Sequence, residues 1–369
     1  MILLVSDGIH RLAGTERVIC NLAHSISGEF KVKIYVPGNT HCAFCNGPIE
    51  HIETFKIGDF PRRGVFAKFK HRAKYFKNLL SCISQHDTLV GFSFDMNVLC
   101  IIAARIKGAR AVCCEHIHYN YHNALRRYFR KLFYRSSVAS VVVLTESDRL
   151  AFAKIGVDCT VIPNFIDYNS SALYCRERHE KKTILFVGRL SEQKNVVFLL
   201  EAFEKSGVWE HGWKLNIVGE GEQKNSLLEW LSKSMIASQV AILPASKEVF
   251  RHYDNASVFC MTSRFEAFPM VLLEAMNSKL PVITTDCPTG PREIIGSVDL
   301  GQIVPIDDIE AFANALREAC SSFELCNIRA ESNHARVASF DRKMVLDQWK
   351  RILKRENHPN PDDQSSHII

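Results

Sequence analysis

Two glutamates, Glu266 and Glu274, stand in a Glu-x7-Glu spacing within Ser263-Arg-Phe-Glu-Ala-Phe-Pro-Met-Val-Leu-Leu-Glu-Ala-Met276. Pro269 suits the first turn of a helix, where its missing N–H costs nothing. The N–H groups of Met270, Val271 and Leu272 would then point out of the helix start, ready for an anion such as phosphate. Glu266 and Phe268 fall in the loop before that anion site, and Glu274 falls about one turn into the helix. A carboxylate beside a phosphate is a poor phosphate ligand but a good acceptor for sugar hydroxyls. The arrangement suits a nucleotide-sugar, with its phosphates on the helix and its hydroxyls on the two glutamates.

Other segments carry complementary chemistry. In Val187-Gly-Arg-Leu-Ser-Glu-Gln-Lys-Asn195, Arg189 and Lys194 lie on one loop and could clamp a diphosphate that leaves with two negative charges. Gly14, in His10-Arg-Leu-Ala-Gly-Thr-Glu-Arg17, lets the backbone approach a ligand at a helix start. No Gly-x-Gly-x-x-Gly fingerprint is present there, which weighs against a dehydrogenase. His116 follows a short strand, a place where a lone histidine is more often structural. The one cysteine pair at ligand spacing, Cys42 and Cys45 beside His41, has no second pair to match it. No Asp-x-Asp motif accompanies the expected anion site, so neither a metal nor a cofactor is expected.

The elements that must position these residues follow a repeated grammar. Short apolar strands are predicted at 2–6, 31–36, 88–92, 111–114 and 140–144, alternating with helical segments as in a parallel sheet. The pattern restarts at 183–187, 214–218, 240–243, 257–261 and 282–285. The fold class is therefore α/β, with two doubly wound, Rossmann-like domains facing a central cleft. The first domain spans 1–167, a polar linker 168–182, and the second domain 183–340. A helix over 341–355 and a polar, disordered tail over 356–369 complete the chain.

At 369 residues and 47% apolar content the chain is an ordinary globular protein. No apolar run is long enough to cross a membrane, and the apolar start is too short for a signal peptide, so a cytosolic enzyme is expected. Its thirteen scattered cysteines read as small hydrophobes. Charge is uneven: residues 1–172 hold 22 Lys and Arg against 13 Asp and Glu, a net +9, and the rest is −3. Much of the excess lies in two aromatic-basic runs, one with Arg62, Arg63, Lys68 and Lys70, the other with Arg126, Arg127, Arg130 and Lys131. These are the candidate residues for docking on an anionic membrane surface. Nucleic acid is the rival partner, but no recognised binding module accompanies the runs, and none is expected.

The Glu-x7-Glu stretch, preceded by Ser-Arg and followed by Ala-Met, resembles the retaining GT-B glycosyltransferases of family GT4. Gly188-Arg-Leu resembles the family's Arg and Lys segment, and Gly14 its Gly-Gly-x-Glu loop with Ala13 in place of the first glycine. Asp286-Cys-Pro-Thr-Gly-Pro-Arg-Glu-Ile-Ile295 resembles the branch that builds bacterial surface polysaccharides. The resemblance implies transfer of a hexose or N-acetylhexosamine, Gal or GalNAc by preference, from a UDP-sugar with retention. The acceptor would be a polyprenyl-diphosphate-linked oligosaccharide of O-antigen, lipopolysaccharide or capsule synthesis, reached from a peripheral site on the inner membrane. It implies catalytic roles for Glu266, His116, Arg189 and Lys194. Gly14, Arg189, Lys194, Phe268, Pro269, Met270, Val271 and Glu274 would hold the donor. It also implies that the last helix packs back on the first domain. A GT-B sugar-nucleotide epimerase and an inactive membrane-surface glycan-binding module are the alternatives.

Overall fold

A computed structural model describes residues 1–6, 14–36, 65–119, 124–167, 175–246, 248–296 and 302–354, with the backbone alone for 65–69 and 71. Ala13, the Cys42/Cys45/His41 group, Arg62, Arg63, the Lys68 side chain, residues 168–174 of the expected linker and the tail lie outside the described residues.

The first sheet is laid down by β1 (Ile2–Val5), α1 (Gly14–Ile26), β2 (Val32–Tyr35), α2 (Val65–Cys82), β3 (Thr88–Gly91), α3 (Phe94–Lys107), β4 (Arg110–Glu115), α4 (Ala124–Tyr134), β5 (Ala139–Val143), α5 (Glu146–Ala153) and β6 (Cys159–Val161). Its strand order is β2-β1-β3-β4-β5-β6, and β1 pairs in parallel with both β2 and β3. After α6 (Arg176–Glu180) the second sheet follows with β7 (Thr183–Val187), α7 (Val196–Ser206), β8 (Lys214–Val218), α8 (Lys224–Ser232), β9 (Val240–Leu243), α9 (Phe250–Asp254), β10 (Val258–Met261), α10 (Met270–Asn277), β11 (Val282–Thr285), α11 (Pro291–Ile295) and β12 (Gln302–Val304). The helices α12 (Ile309–Ser321), α13 (Phe323–Val337) and α14 (Arg342–Lys354) close the described chain. The order here is β12-β11-β10-β7-β8-β9, with every pair parallel.

Strands β1, β3, β10 and β11 are buried at every residue. A parallel sheet covered by helices on both faces selects such uninterrupted apolar runs. In both sheets the strand order reverses beside the first strand, between β1 and β3 and between β7 and β10. Ligands of open α/β sheets bind outside the carboxyl ends of the strands at such a reversal.

The chain divides into two compact units: 1–115 with 124–142 and 343–369, and 116–123 with 143–342. This differs from the boundary at 167 read from the sequence. Although β6 belongs to the first sheet, Ile166 and Asp167 are tied to later parts of the second unit. The Ile166 N–H donates to the Phe340 carbonyl (3.1 Å), Arg342 N–H donates to Ile166 (3.0 Å), and Asn277 donates to the Asp167 carbonyl (2.9 Å). Within the first unit, Arg110 donates to the Ile352 carbonyl (3.0 Å), and Lys350 and Lys354 pair with Glu29. Those bonds fix α14 there.

The linker expectation also fails at its end. Arg176–Glu180 is helix α6, and Arg178 is buried. Its guanidinium donates to the carbonyls of Ala256 (2.9 Å), Ser278 (2.7 Å) and Tyr253, at or just past the ends of α9 and α10. Partial negative charge gathers at helix C-termini, so a cation satisfied by carbonyls alone is stable there. Composition disguised the element, because a polar residue serves as its anchor. Arg178→Leu would leave three buried acceptors short of a donor, at about 1–3 kcal/mol each. We expect a loss of at least about 3 kcal/mol, read from the urea midpoint at unchanged slope.

Candidate active site

The loop after β7 and the loop after β10 are stitched together where the strand order reverses. Gln193 donates its side-chain amide to the Phe265 carbonyl (2.8 Å), and the Arg264 N–H donates to the Gln193 carbonyl (2.8 Å). Thr262 Oγ1 donates to the Lys194 carbonyl (2.9 Å), and Lys194 Nζ donates to Glu266 Oε1. The loop after β11 joins them, with Thr289 Oγ1 donating to the Glu266 carbonyl (2.6 Å). Gly290 has φ +88°, and a Cβ there would stand 2.5 Å from Pro269 Cδ. Only glycine lets that turn press against the start of α10.

On the other flank of β7, a Cβ on Gly219 would meet the Gly188 carbonyl oxygen at 1.8 Å, so the β8 turn passes backbone to backbone beneath Arg189. Arg189 is exposed, and its guanidinium pairs with Glu222 at 3.3 Å. Lys194 is instead largely buried against Glu266. The two cations expected to act alike thus occupy different surroundings, one screened by water and one not.

Pro269 takes the cap position, one residue earlier than the first turn (φ −73°, ψ 101°). The Leu272 N–H is not available, since it donates to the Pro269 carbonyl (3.1 Å). The N–H groups of Met270 and Val271 carry no hydrogen bond among the described residues. Two oriented donors, rather than three, face out of the helix start. The Phe268 ring is buried edge-on to Phe340 (5.7 Å), so its side chain belongs to the core and only its backbone is left for a ligand. Glu266 and Glu274 are 8% and 2% exposed. Glu274 Oε2 accepts a hydrogen bond from Tyr253 Oη at 2.9 Å. Tyr253 carried no signal in the sequence, because it comes from a five-residue helix 21 positions upstream. Cys287 lies near Glu266, and burial pushes its thiol up to about 12, which keeps it protonated.

The remaining candidates are outside this hydrogen-bonded group. Gly14 is the first residue of α1, and open space surrounds its missing side chain. His116 directly follows β4; part of the residue is accessible, but its Nε2 is buried, and desolvation pushes its pKa down to about 4. In the basic runs, Lys70 and Lys131 are exposed and Arg127 is half-buried. Arg126 is exposed and shares Asp95 (3.5 Å) with Arg72. Arg130 is a correction: its side chain is wholly buried and bonded to Glu115 (3.0 Å), so it is not a docking residue. Among the described residues, no three His, Cys, Asp or Glu side chains gather as metal ligands would.

Residues 176–335 match the family described as glycosyl transferases group 1, and residues 12–170 match glycosyltransferase family 4. The amylovoran biosynthesis glycosyltransferase AmsD of Erwinia amylovora is 30% identical over 95% of this chain and 99% of its own. The chain belongs to the group 1, family 4 glycosyltransferases. Another similar glycosyltransferase, from Campylobacter jejuni, is 23% identical over 92% of this chain and 94% of its own. It is named GalNAc-alpha-(1->4)-GalNAc-alpha-(1->3)-diNAcBac-PP-undecaprenol alpha-1,4-N-acetyl-D-galactosaminyltransferase. In fold, Anabaena Alr3699/HepE crystallised with UDP has a TM-score of 0.77 at 16% identity, over 95% of this chain and 99% of that one. The fold is GT-B, built on two parallel six-stranded sheets. This glycosyltransferase carries Lys194 and Glu266 as one hydrogen-bonded pair, with Glu266 in the loop that leads into α10.

Two measurements probe these surroundings. Tyr253→Phe removes a donor from buried Glu274 and is expected to cost about 1–2 kcal/mol of stability. In a double-mutant cycle with Glu274→Gln the two losses should fail to add, showing direct coupling. For His116, the folded pKa of about 4 lies below the ordinary 6.5. Above pH 6.5 both folded and unfolded chains are neutral at this ring, and the residue adds no pH dependence. As pH falls from 6.5 to 4 the unfolded chain takes up the proton first, so stability is lost across that window. His116→Gln should therefore lose less stability than the parent between pH 7 and pH 5, by at most about 2 kcal/mol.

Proposed function

We propose that this glycosyltransferase moves a hexose or N-acetylhexosamine, Gal or GalNAc by preference, from a UDP-sugar to a lipid-linked oligosaccharide in bacterial surface polysaccharide synthesis. The observation that carries the reading is the Lys194–Glu266 pair at the strand reversal, with Glu266 in the loop that leads to the two outward N–H groups of α10. An anion site lies beside two carboxylates, the complement of a diphosphate next to sugar hydroxyls. The names of the Erwinia and Campylobacter relatives support a polysaccharide product and an undecaprenol-PP-linked acceptor. Attachment to the cytoplasmic face of the inner membrane belongs to the same reading, since a polyprenyl acceptor is held in a bilayer.

The donor diphosphate binds Met270 and Val271 N–H, with Arg189 and Lys194 as its cations. Glu274 takes the ribose hydroxyls and Glu266 those of the transferred sugar, with His116 positioning the substrates. The bond from the anomeric carbon to the diphosphate oxygen breaks as the acceptor oxygen attacks the same face. The acceptor proton passes to the leaving diphosphate, and the configuration is retained. Charge builds on the leaving oxygen, where cations and aligned N–H groups lower the barrier most. Those cations take the part a divalent metal would play.

A panel of radiolabelled UDP-sugars with a polyprenyl-diphosphate oligosaccharide acceptor tests this. One donor should give product in EDTA as well as in magnesium. Glu274→Ala and Arg189→Ala should each lower the rate about a hundredfold, equal to roughly 2–3 kcal/mol, and weaken UDP binding in calorimetry. Parental UDP affinity in both variants would overturn the donor assignment. A strict magnesium or manganese requirement would overturn the metal-free mechanism.

A further inference from the structure

Helix α4 is turned inside out. An ordinary surface helix buries its apolar stripe and shows its charges to water. In α4 the buried residues are Arg130 and Tyr134. Arg130 pairs with Glu115 Oε2 (3.0 Å), Tyr134 Oη donates to Glu115 Oε1, and Asn97 Nδ2 donates to Tyr134 Oη (2.8 Å). The large apolar side chains point the other way. Leu125 is 65% exposed, Tyr128 63%, Phe129 39% and Leu132 56%. They occupy positions i, i+3, i+4 and i+7, which at about 100° per residue form a single stripe. By the same rotation this stripe lies opposite Arg130 and Tyr134.

Charge selects the partner. Residues 124–135 contain five basic side chains and no acidic one, and Arg126, Lys131 and Arg135 are exposed along the edges of the stripe. Basic side chains beside an apolar face reach up to anionic headgroups while the face enters the acyl boundary. A protein partner of ordinary composition has no need of so one-sided a rim. No helix among the described residues is long and apolar enough to cross a membrane, so an element lying in the interface plane is the form such an attachment takes.

We infer that α4 docks the first unit on an anionic lipid bilayer by inserting Leu125, Tyr128, Phe129 and Leu132. The inference deepens the membrane-face reading made above by naming the surface that meets the lipid. It moves the main contribution from the basic residues to the apolar stripe. The Glu115–Arg130–Tyr134 group holds the helix formed before lipid arrives, so docking carries no cost of folding it.

Flotation of the full chain with phosphatidylglycerol-rich and pure phosphatidylcholine vesicles tests this, with UDP affinity measured in parallel. The parent should float with the anionic vesicles and retain part of that binding in high salt, because apolar insertion is not screened. Leu125→Gln/Leu132→Gln should lower partitioning about a hundredfold at any salt, whereas Lys131→Glu should weaken it severalfold and only at low salt. UDP affinity should stay at the parental value in both variants. Absence of parental binding to anionic vesicles at low salt overturns the inference, and so does equal binding by the Leu125→Gln/Leu132→Gln variant. A parental dimer that this double variant dissolves, with no lipid binding by either, also overturns it and assigns the stripe to a second copy. Failure of the lipid assay leaves the donor reading standing, since the transfer panel and UDP calorimetry are read without vesicles.

Discussion

Strand β7 is laid down first in its sheet, and the chain leaves it on both flanks, toward β8 on one side and β10 on the other. Neighbouring parallel strands at such a reversal send their following loops to opposite faces, which opens a crevice at their carboxyl ends. Here the crevice is closed at its base by Gln193 and Lys194, which bond to the loop after β10. Glu266 is then held from two directions, its carboxylate by Lys194 and its backbone carbonyl by Thr289. The positions of α10 and of both glutamates follow from that closure, and Gly290 is required because the β11 loop must press on Pro269 to complete it.

Buried charge is used throughout for placement. Taking an ion out of water costs several kcal/mol, and only good geometry offsets it. Each such group here has a specific partner: Glu274 has Tyr253, Glu266 has Lys194, Arg130 has Glu115, and Arg178 has three carbonyls. The Lys194–Glu266 pair differs from the others in one respect. Both partners are also the groups best suited to a diphosphate and a sugar hydroxyl, so under the proposed function a donor would compete with a contact already made.

Ten strands were legible in the sequence because each is an apolar run with turn residues at its ends. The two missed, β6 and β12, are three-residue edge strands, too short for any periodicity and defined only by the strand they pair with. The glutamates, Lys194 and the helix start were legible because motif spacing places them on adjoining loops. Tyr253 was not, since hydrogen bonding between elements far apart in sequence leaves no local pattern. Arg130 and Arg178 were misjudged for a shared reason: composition counts a guanidinium as surface, and both are hydrogen-bonded inside, Arg130 to Glu115 and Arg178 to three carbonyls. Phe268 likewise turned its ring to Phe340, a choice that depends on residues seventy positions later.

The first unit is assembled from stretches at both ends of the chain, with α14 bonded to Arg110 and Glu29. The ribosome therefore makes the whole stretch from 143 to 342 before it supplies the helix that completes the first sheet's surroundings. At about 5–20 residues per second, that interval lasts roughly 10–40 s. For that time the nascent first unit presents the uncovered ground of α14, including the apolar surface later met by Val345, Trp349 and Leu353. The order of synthesis thus lets the second unit mature first, and the first unit finishes folding only once α14 has been made.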